Sequence, residues 1–380
     1  MNQKKVFLVL EDENFFEGAG YSGQNNFPEK AGEVVFNTTH SGYEEIATDP
    51  SYLNQIIVMT APMQGNYGSN HSDWESSKIW INGFVCLQMQ ASRRNSSWAD
   101  LLVQNNVPIL TEIDTRKLTI KLRNQGTPWG ALVTAENSAQ AIGKSKKLIF
   151  DAKKIESDWV WIASRKQIEH RLGKKSDGPK VAILDFGTKE NILRELESRC
   201  SEIKIFPSRT SGEVILAFHP DALLLTNGPG DPSAVEKSVE TIRFFLGKIP
   251  VFGICMGHQM LGLALGAQTY KLKFGHRGTN HPIKDLLLNK IYMSSQNHGY
   301  AIDEKTLPKD VQITHVNLND KTVAGFYSEK LNCLGIQYHP ESHPGPHDAV
   351  LLFDYFINVM NKKNMNGNTN ANKNDQPINF

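Results

Sequence analysis

Between residues 180 and 338 the chain alternates short, unbroken apolar runs with segments whose apolar residues recur at helical spacing. KVAILDFG is one such run, closed by glycine, and TKENILRELESR follows it with Ile192, Leu193 and Leu196 spaced as on one helix face. EIKIFP, DALLLTNGPGDP, IPVFGIC and CLGIQY repeat the first type; AVEKSVETIRFFLG and MGHQMLGLALG repeat the second. A strand that is apolar throughout is covered on both faces, and strands alternating with helices form a parallel sheet. Residues 179–362 are therefore predicted to be an α/β domain with a doubly wound, mostly parallel sheet and helices on both faces.

Residues 1–150 read differently, with short strands (KVFLVLE, GEVVFNT, QIIVMTAP), many polar turns and one or two helices, notably WADLLVQNN. They are expected to form a smaller, mixed α/β domain. Residues 151–178 are charged, lack a clean period and end in SDGP, which reads as a linker. Residues 363–380 are asparagine-rich and too poor in large apolar groups to order themselves, so a disordered tail is expected.

A length of 380 residues at 39% hydrophobic content accommodates two domains. With 41 basic and 40 acidic residues the charge balance favours neither nucleic acid nor an anionic membrane, and points to a small-molecule or protein partner. Cys86, Cys200, Cys255 and Cys333 lie far apart with no CxxC spacing, which argues against disulfides and zinc and for a reducing cytoplasm. No apolar run approaches membrane-spanning length, and the one near the N-terminus is short, so a soluble, non-exported protein is expected.

The chemistry is concentrated in IPVFGICMGHQML. A tight strand-to-helix turn forces an unfavourable backbone at its apex and brings flanking chain so close that only glycine fits beside it; Gly253 and Gly257 supply that room. Cys255 is then raised at a helix N-terminus, where free amides and the helix dipole favour a thiolate nucleophile. Its proton carrier is expected to be His339, in the HPE that follows CLGIQY, because both strand ends fall at one edge of the sheet. Residues two apart in extended chain point the same way, so Glu341 is positioned to hold the second imidazole nitrogen. Charge developing on a substrate oxygen needs donors; the amides of Gly228, in NGPGDP, and Met256 are assigned that role. The plain alternatives are a buried cysteine, a surface His-Pro-Glu turn and an ordinary glycine turn, and the double-glycine frame around Cys255 decides against them.

Together GICMGHQ, NGPGDP and HPE resemble the class I, triad-type glutamine amidotransferases, in the family's order. GEVVFNTTHSGYEEIATDPSY, IDTRKLT, KFGHRGTNHP, QNHGY and HPESHPGPHDA extend the resemblance over nearly the whole chain, to the small, glutamine-hydrolysing subunits of carbamoyl-phosphate synthetase. That resemblance implies a flavodoxin-like amidotransferase domain with Cys255, His339 and Glu341 as catalytic residues. It also implies that Ser51, Gly228, Gly230, Met256, Gln259, Asn297, Gly299 and Tyr300 bind L-glutamine. The implied reaction passes through a cysteinyl thioester and delivers ammonia to a large subunit, which makes carbamoyl phosphate from bicarbonate and ATP for arginine and pyrimidine synthesis. No cofactor or metal is expected in this chain; ATP and Mg belong to the large subunit, consistent with the lack of a GxxxxGK[ST] phosphate loop. Methionine at 256 and tyrosine at 300 depart from the family's commoner leucine and phenylalanine without touching the mechanism.

Other residues receive quieter readings. His258 is expected to support packing. His339, His343 and His347 are spaced by four, but Pro340, Pro344 and Pro346 forbid the helix that a metal face would need. His276, Arg277 and His281 are expected in a solvated turn, which the resemblance places near the active site or a partner surface, and Asp114 and Arg116 in a helix-start salt-bridge cluster. Two alternatives stay open: an amidotransferase serving another synthase, and a non-catalytic regulatory subunit.

Overall fold

The computed structural model describes residues 5–21, 26–92, 95–155 and 158–366. Its first domain contains β1 (Lys5–Leu10), β2 (Phe15–Gly20), β3 (Lys30–Asn37), α1 (Tyr43–Thr48), β4 (Gln55–Met59), β5 (Met63–Gln64), β6 (Gly83–Val85) and β7 (Gln88–Met89). Then follow α2 (Trp98–Gln104), β8 (Ile109–Thr111), α3 (Thr115–Gln125), β9 (Trp129–Ala135) and α4 (Ser138–Lys154). Seven of these strands close a barrel in the order β1-β2-β8-β6-β4-β3-β9, with β9 pairing back onto β1, while β5 and β7 form a separate ribbon.

Closure explains the apolar runs. Val6, Leu8 and Leu10 of β1 point into the barrel with Val34, Ile56 and Leu132, whereas Phe7 and Val9 point outward beneath Ala141 and Ile149 of α4. On another wall Ile57 and Phe84 are covered by Trp98 and Leu102 of α2. Four helices therefore clothe this domain where one or two were expected, because a barrel buried on its outer side needs them. Asp114 starts α3 through an N-cap hydrogen bond from the Lys117 amide (2.8 Å) and has no ion pair among the described residues.

The expected linker is largely structured. α4 runs into it as far as Lys154, α5 (Trp159–Ala163) follows, and β10 (Glu169–Leu172) joins the large sheet as an antiparallel edge strand. Its charges are local partners: Arg171 pairs with Glu190 at 2.5 Å and with Glu197 at 3.2 Å.

The second domain continues through β11 (Lys180–Asp185), α6 (Glu190–Glu197), β12 (Glu202–Pro207), α7 (Gly212–Leu216), β13 (Ala222–Leu225), α8 (Glu236–Phe245), β14 (Val251–Ile254) and α9 (Met256–Ala264). It ends with β15 (Thr269–Asp285), β16 (Lys290–Ile302), β17 (Gln312–Asn317), β18 (Val323–Ser328), β19 (Cys333–Ile336) and α10 (Leu351–Asn366). The ten-stranded sheet has the order β10-β12-β11-β13-β14-β19-β18-β17-β15-β16. Val181 and Ile183 of β11 face α6 and α10, and Ala182 and Leu184 face α8 and α9, so both faces are covered.

Only the run β12-β11-β13-β14-β19 is parallel; the remaining strands pair antiparallel, so the sheet is mixed rather than mostly parallel. The long β15–β16 hairpin absorbs KFGHRGTNHP, which was expected to be a solvated turn; His276 and Arg277 are buried there against Asn297 and His298 of the opposite strand. α10 extends through Asn366, so the expected tail begins as helix, and its residues 367–380 lie outside the described residues. No helix among the described residues is long and apolar enough to cross a membrane.

Trp98 is fully buried and packs at 5.3 Å from Tyr43 and 6.1 Å from Phe84, between α2 and the barrel. Replacing it with alanine is expected to destabilise the chain by about 3–5 kcal/mol, measured as a fall in the urea unfolding midpoint.

Candidate active site

Cys255 is the N-cap of α9 and stands directly after β14 at φ 54°, ψ −104°, a backbone that non-glycine residues seldom adopt. Its amide donates to the Ile336 carbonyl of β19 (2.8 Å), and the next amide but one, Gly257, donates to the Thr226 carbonyl (2.9 Å). Both flanking glycines are needed sterically. A Cβ on Gly253 would meet the Gly257 carbonyl at 2.6 Å, and one on Gly257 would collide with the backbone of Leu225. The Cys255 sulfur donates weakly to the Asn297 carbonyl at 3.4 Å. As the first residue of α9, Met256 has an N–H outside the helix ladder.

His339 follows β19, and its amide is held by the Ser295 carbonyl of β16 (2.9 Å). Nδ1 lies 2.6 Å from Glu341 Oε1, both side chains being buried. The other ring nitrogen, Nε2, is buried without a well-formed hydrogen bond among the described residues. Burial alone would depress the imidazolium, but the charges of Glu341 and Cys255 overcome it and lift the His339 pKa to about 10. Burial would likewise raise Glu341, yet Lys189 and His339 hold its carboxyl at about 2.

Lys189 was missed in the sequence. Its ammonium donates to Glu341 Oε1 (3.0 Å) and to the Ser342 carbonyl (2.5 Å), and the Asn191 side chain donates to the Glu341 carbonyl. The available signal was FGTKEN, which leaves β11 at the same sheet edge as Cys255 and His339.

One cavity of about 290 Å³ lies against this edge. Its lining includes Cys255 and all the positions the resemblance assigned to glutamine: Ser51, Gly228, Gly230, Met256, Gln259, Asn297, Gly299 and Tyr300. His339 does not line it; it borders a pocket of about 10 Å³ behind Asn297, with Lys189 and Asp49. Arg277, which the resemblance had put near the site or a partner surface, also faces the main cavity, as does Trp159 from the expected linker, which did not stand out in the sequence.

Ser51 arrives from the barrel domain by a buried polar junction. Asp49 accepts from the Ser51 amide (2.8 Å), from Asn227 Nδ2 (3.2 Å) and from Asn297 Nδ2 (3.1 Å), while Asn227 Nδ2 also donates to Ser51 Oγ (2.8 Å). Gln259 Nε2 donates to the Tyr300 carbonyl (2.7 Å) and to Gln337 Oε1 (3.1 Å), tying α9 to β16. His258 is fully buried, ring to ring with Phe326 at 4.8 Å, and burial drives its pKa to about 3, so it packs as a neutral group. The assembled groups, a strained cysteine at a helix start with an imidazole, a carboxylate and free amides, are those of nucleophilic acyl transfer.

Residues 182–359 match the family Glutamine amidotransferase class-I, and residues 8–132 match Carbamoyl-phosphate synthase small chain, CPSase domain. Similar over most of their length are the carbamoyl phosphate synthase small chains of Aquifex aeolicus (41% identical, covering 94% of this chain and 99% of that one) and Symbiobacterium thermophilum (42%, covering 93% and 98%). That of Listeria innocua is 42% identical over 94% of this chain and 98% of its own. With the elbow, the His-Glu pair and both domains matched, the chain belongs to the carbamoyl-phosphate synthase small-chain family.

Proposed function

We propose that this chain is the glutaminase subunit of a carbamoyl-phosphate synthase. The observation that carries the reading is that Cys255, in its strained turn, opens onto a cavity whose lining includes every position assigned to glutamine from the resemblance. In this reading the Cys255 thiolate adds to the side-chain carboxamide of L-glutamine, and the oxygen that becomes charged takes hydrogen bonds from the Gly228 and Met256 amides. The His339 imidazolium protonates the departing ammonia, leaving a γ-glutamyl thioester. Water then attacks the thioester with His339 as base, and glutamate leaves. Ser51, Gly230, Gln259, Asn297, Gly299 and Tyr300 hold the rest of the substrate.

Ammonia passes to a large subunit, which binds ATP and Mg and forms carbamoyl phosphate from bicarbonate, in the cytoplasm, for arginine and pyrimidine synthesis. We also place the second domain in the flavodoxin-like, doubly wound class. The parallel order β12-β11-β13-β14-β19, which numbers as 2-1-3-4-5 within the run, supports that, as do helices on both faces.

Replacing Cys255 with serine is expected to abolish glutamine hydrolysis while the complex still makes carbamoyl phosphate from added ammonia; glutamate release and carbamoyl phosphate formation are followed in parallel. Retained glutamate release would sink the assignment. A second expectation concerns Glu341. Its pKa in the fold, about 2, is below the ordinary 4.5, so its stabilising contribution is complete above about 4.5 and fades as the pH falls toward 2. Glu341→Gln leaves Lys189 without its contacting carboxylate and should cost about 3–5 kcal/mol at neutral pH. Urea titrations should find that difference shrinking below pH 4.5.

A further inference from the structure

α6 begins with no side-chain cap of its own, because its N-cap residue is Lys189, which has no oxygen to offer. Its first free amides are taken instead by Glu75, from the barrel domain. The Glu190 amide donates to the Glu75 carbonyl (2.9 Å), and the Asn191 amide to Glu75 Oε2 (3.1 Å). Glu75 is fully buried, and its own amide is anchored on Thr48 Oγ1 (3.0 Å) at the end of α1. Around its carboxylate stand Arg194 Nη1 (3.3 Å) and His343 Nδ1 (3.6 Å), with the charges of Lys189 and Glu341 acting from farther off.

We infer that Glu75 is a positioning residue of the active site: from across the domain boundary it compensates the buried Lys189 ammonium, which leaves Glu341 able to orient and support His339. The inference rests on the glutaminase reading. Glu341 faces two cations, the Lys189 ammonium and the His339 imidazolium, through the same oxygen. Besides Glu341, the anions that act on Lys189 are Glu75 and, less strongly, Asp49; without Glu75 a larger share of the buried ammonium falls on that one oxygen, since a buried charge in low dielectric tolerates no deficit of counter-charge. Of the groups facing Glu75, Arg194 is in direct contact but partly exposed, and His343 is kept neutral by burial and by Lys189 and Arg194, so the fully buried cation that Glu75 offsets is Lys189, the N-cap residue of the helix Glu75 caps. Cys255 (once ionised), His339, Glu341, Lys189, Glu75 and Arg194 thus form a series alternating in sign from the nucleophile to the domain boundary. Burial lifts the Glu75 carboxyl to about 7 against the pull of Lys189 and the Asn191 amide, so its charge is gained through neutral pH.

The test uses the full chain in complex with its large subunit. Glu75→Gln keeps the volume and an acceptor for the Asn191 amide, and its thermal midpoint reports whether the fold is intact. Its kcat for glutamine is expected to fall about tenfold, or about 1.4 kcal/mol in barrier, with KM within about twofold. In wild type kcat is expected to rise near pH 7; that rise should vanish in this variant and persist in Glu75→Asp, which keeps the charge. A Glu75→Gln enzyme with the kcat and pH profile of wild type, or one whose KM rises while kcat holds, would overturn the inference, as would loss of the pH 7 limb in Glu75→Asp as well. Failure of the wild-type complex to release glutamate would instead overturn the glutaminase reading itself.

Discussion

Lys189 is only 2% exposed, and a charge so far from water persists only while carboxylates and carbonyls stay within reach of it. Here the contacts are Glu341 and the Ser342 carbonyl, both in the turn after β19, whereas Lys189 itself follows β11. The ion pair therefore joins the ends of two strands separated in the sheet by β13 and β14. His339 lies between this pair and Cys255, and its geometry is inherited from them. A local change at Lys189 or Glu341 propagates to the imidazole, because neither has solvent to compensate it.

The same edge carries a second constraint, the positive φ of Cys255. Such a conformation survives only where the surroundings over-determine it. The Cys255 amide is bonded to β19, the Gly257 amide to the end of β13, and the two glycines admit backbone where any side chain would collide. Strain at the apex is thus held by strand pairing on one side and helix packing on the other.

The barrel domain is part of the site rather than an appendage. Asp49 connects Ser51, Asn227 and Asn297 in one buried polar cluster, so a wall of the cavity exists only when both domains are docked. Buried polar groups that satisfy each other only across a boundary fix the relative placement of the two domains more sharply than apolar contact would, because a small shift leaves each of them unpaired.

Short-range patterns carried much of this. The apolar runs from KVAILDFG to CLGIQY gave the central strands, since a strand buried on both faces has to be apolar throughout; the glycine frame identified the Cys255 turn, and HPE the histidine. Closure of the barrel, the antiparallel strands and the ordered segment at 159–172 were not legible there, because short edge and hairpin strands with polar faces look like loops until a partner is known. The sequence by itself determined which residues have the chemistry for acyl transfer and which of them share a sheet edge. Only the tertiary structure decided that Lys189 lies against Glu341 and that Asp49 and Glu75 reach across from the other domain. Those contacts span more than a hundred residues of chain, and no local spacing encodes them.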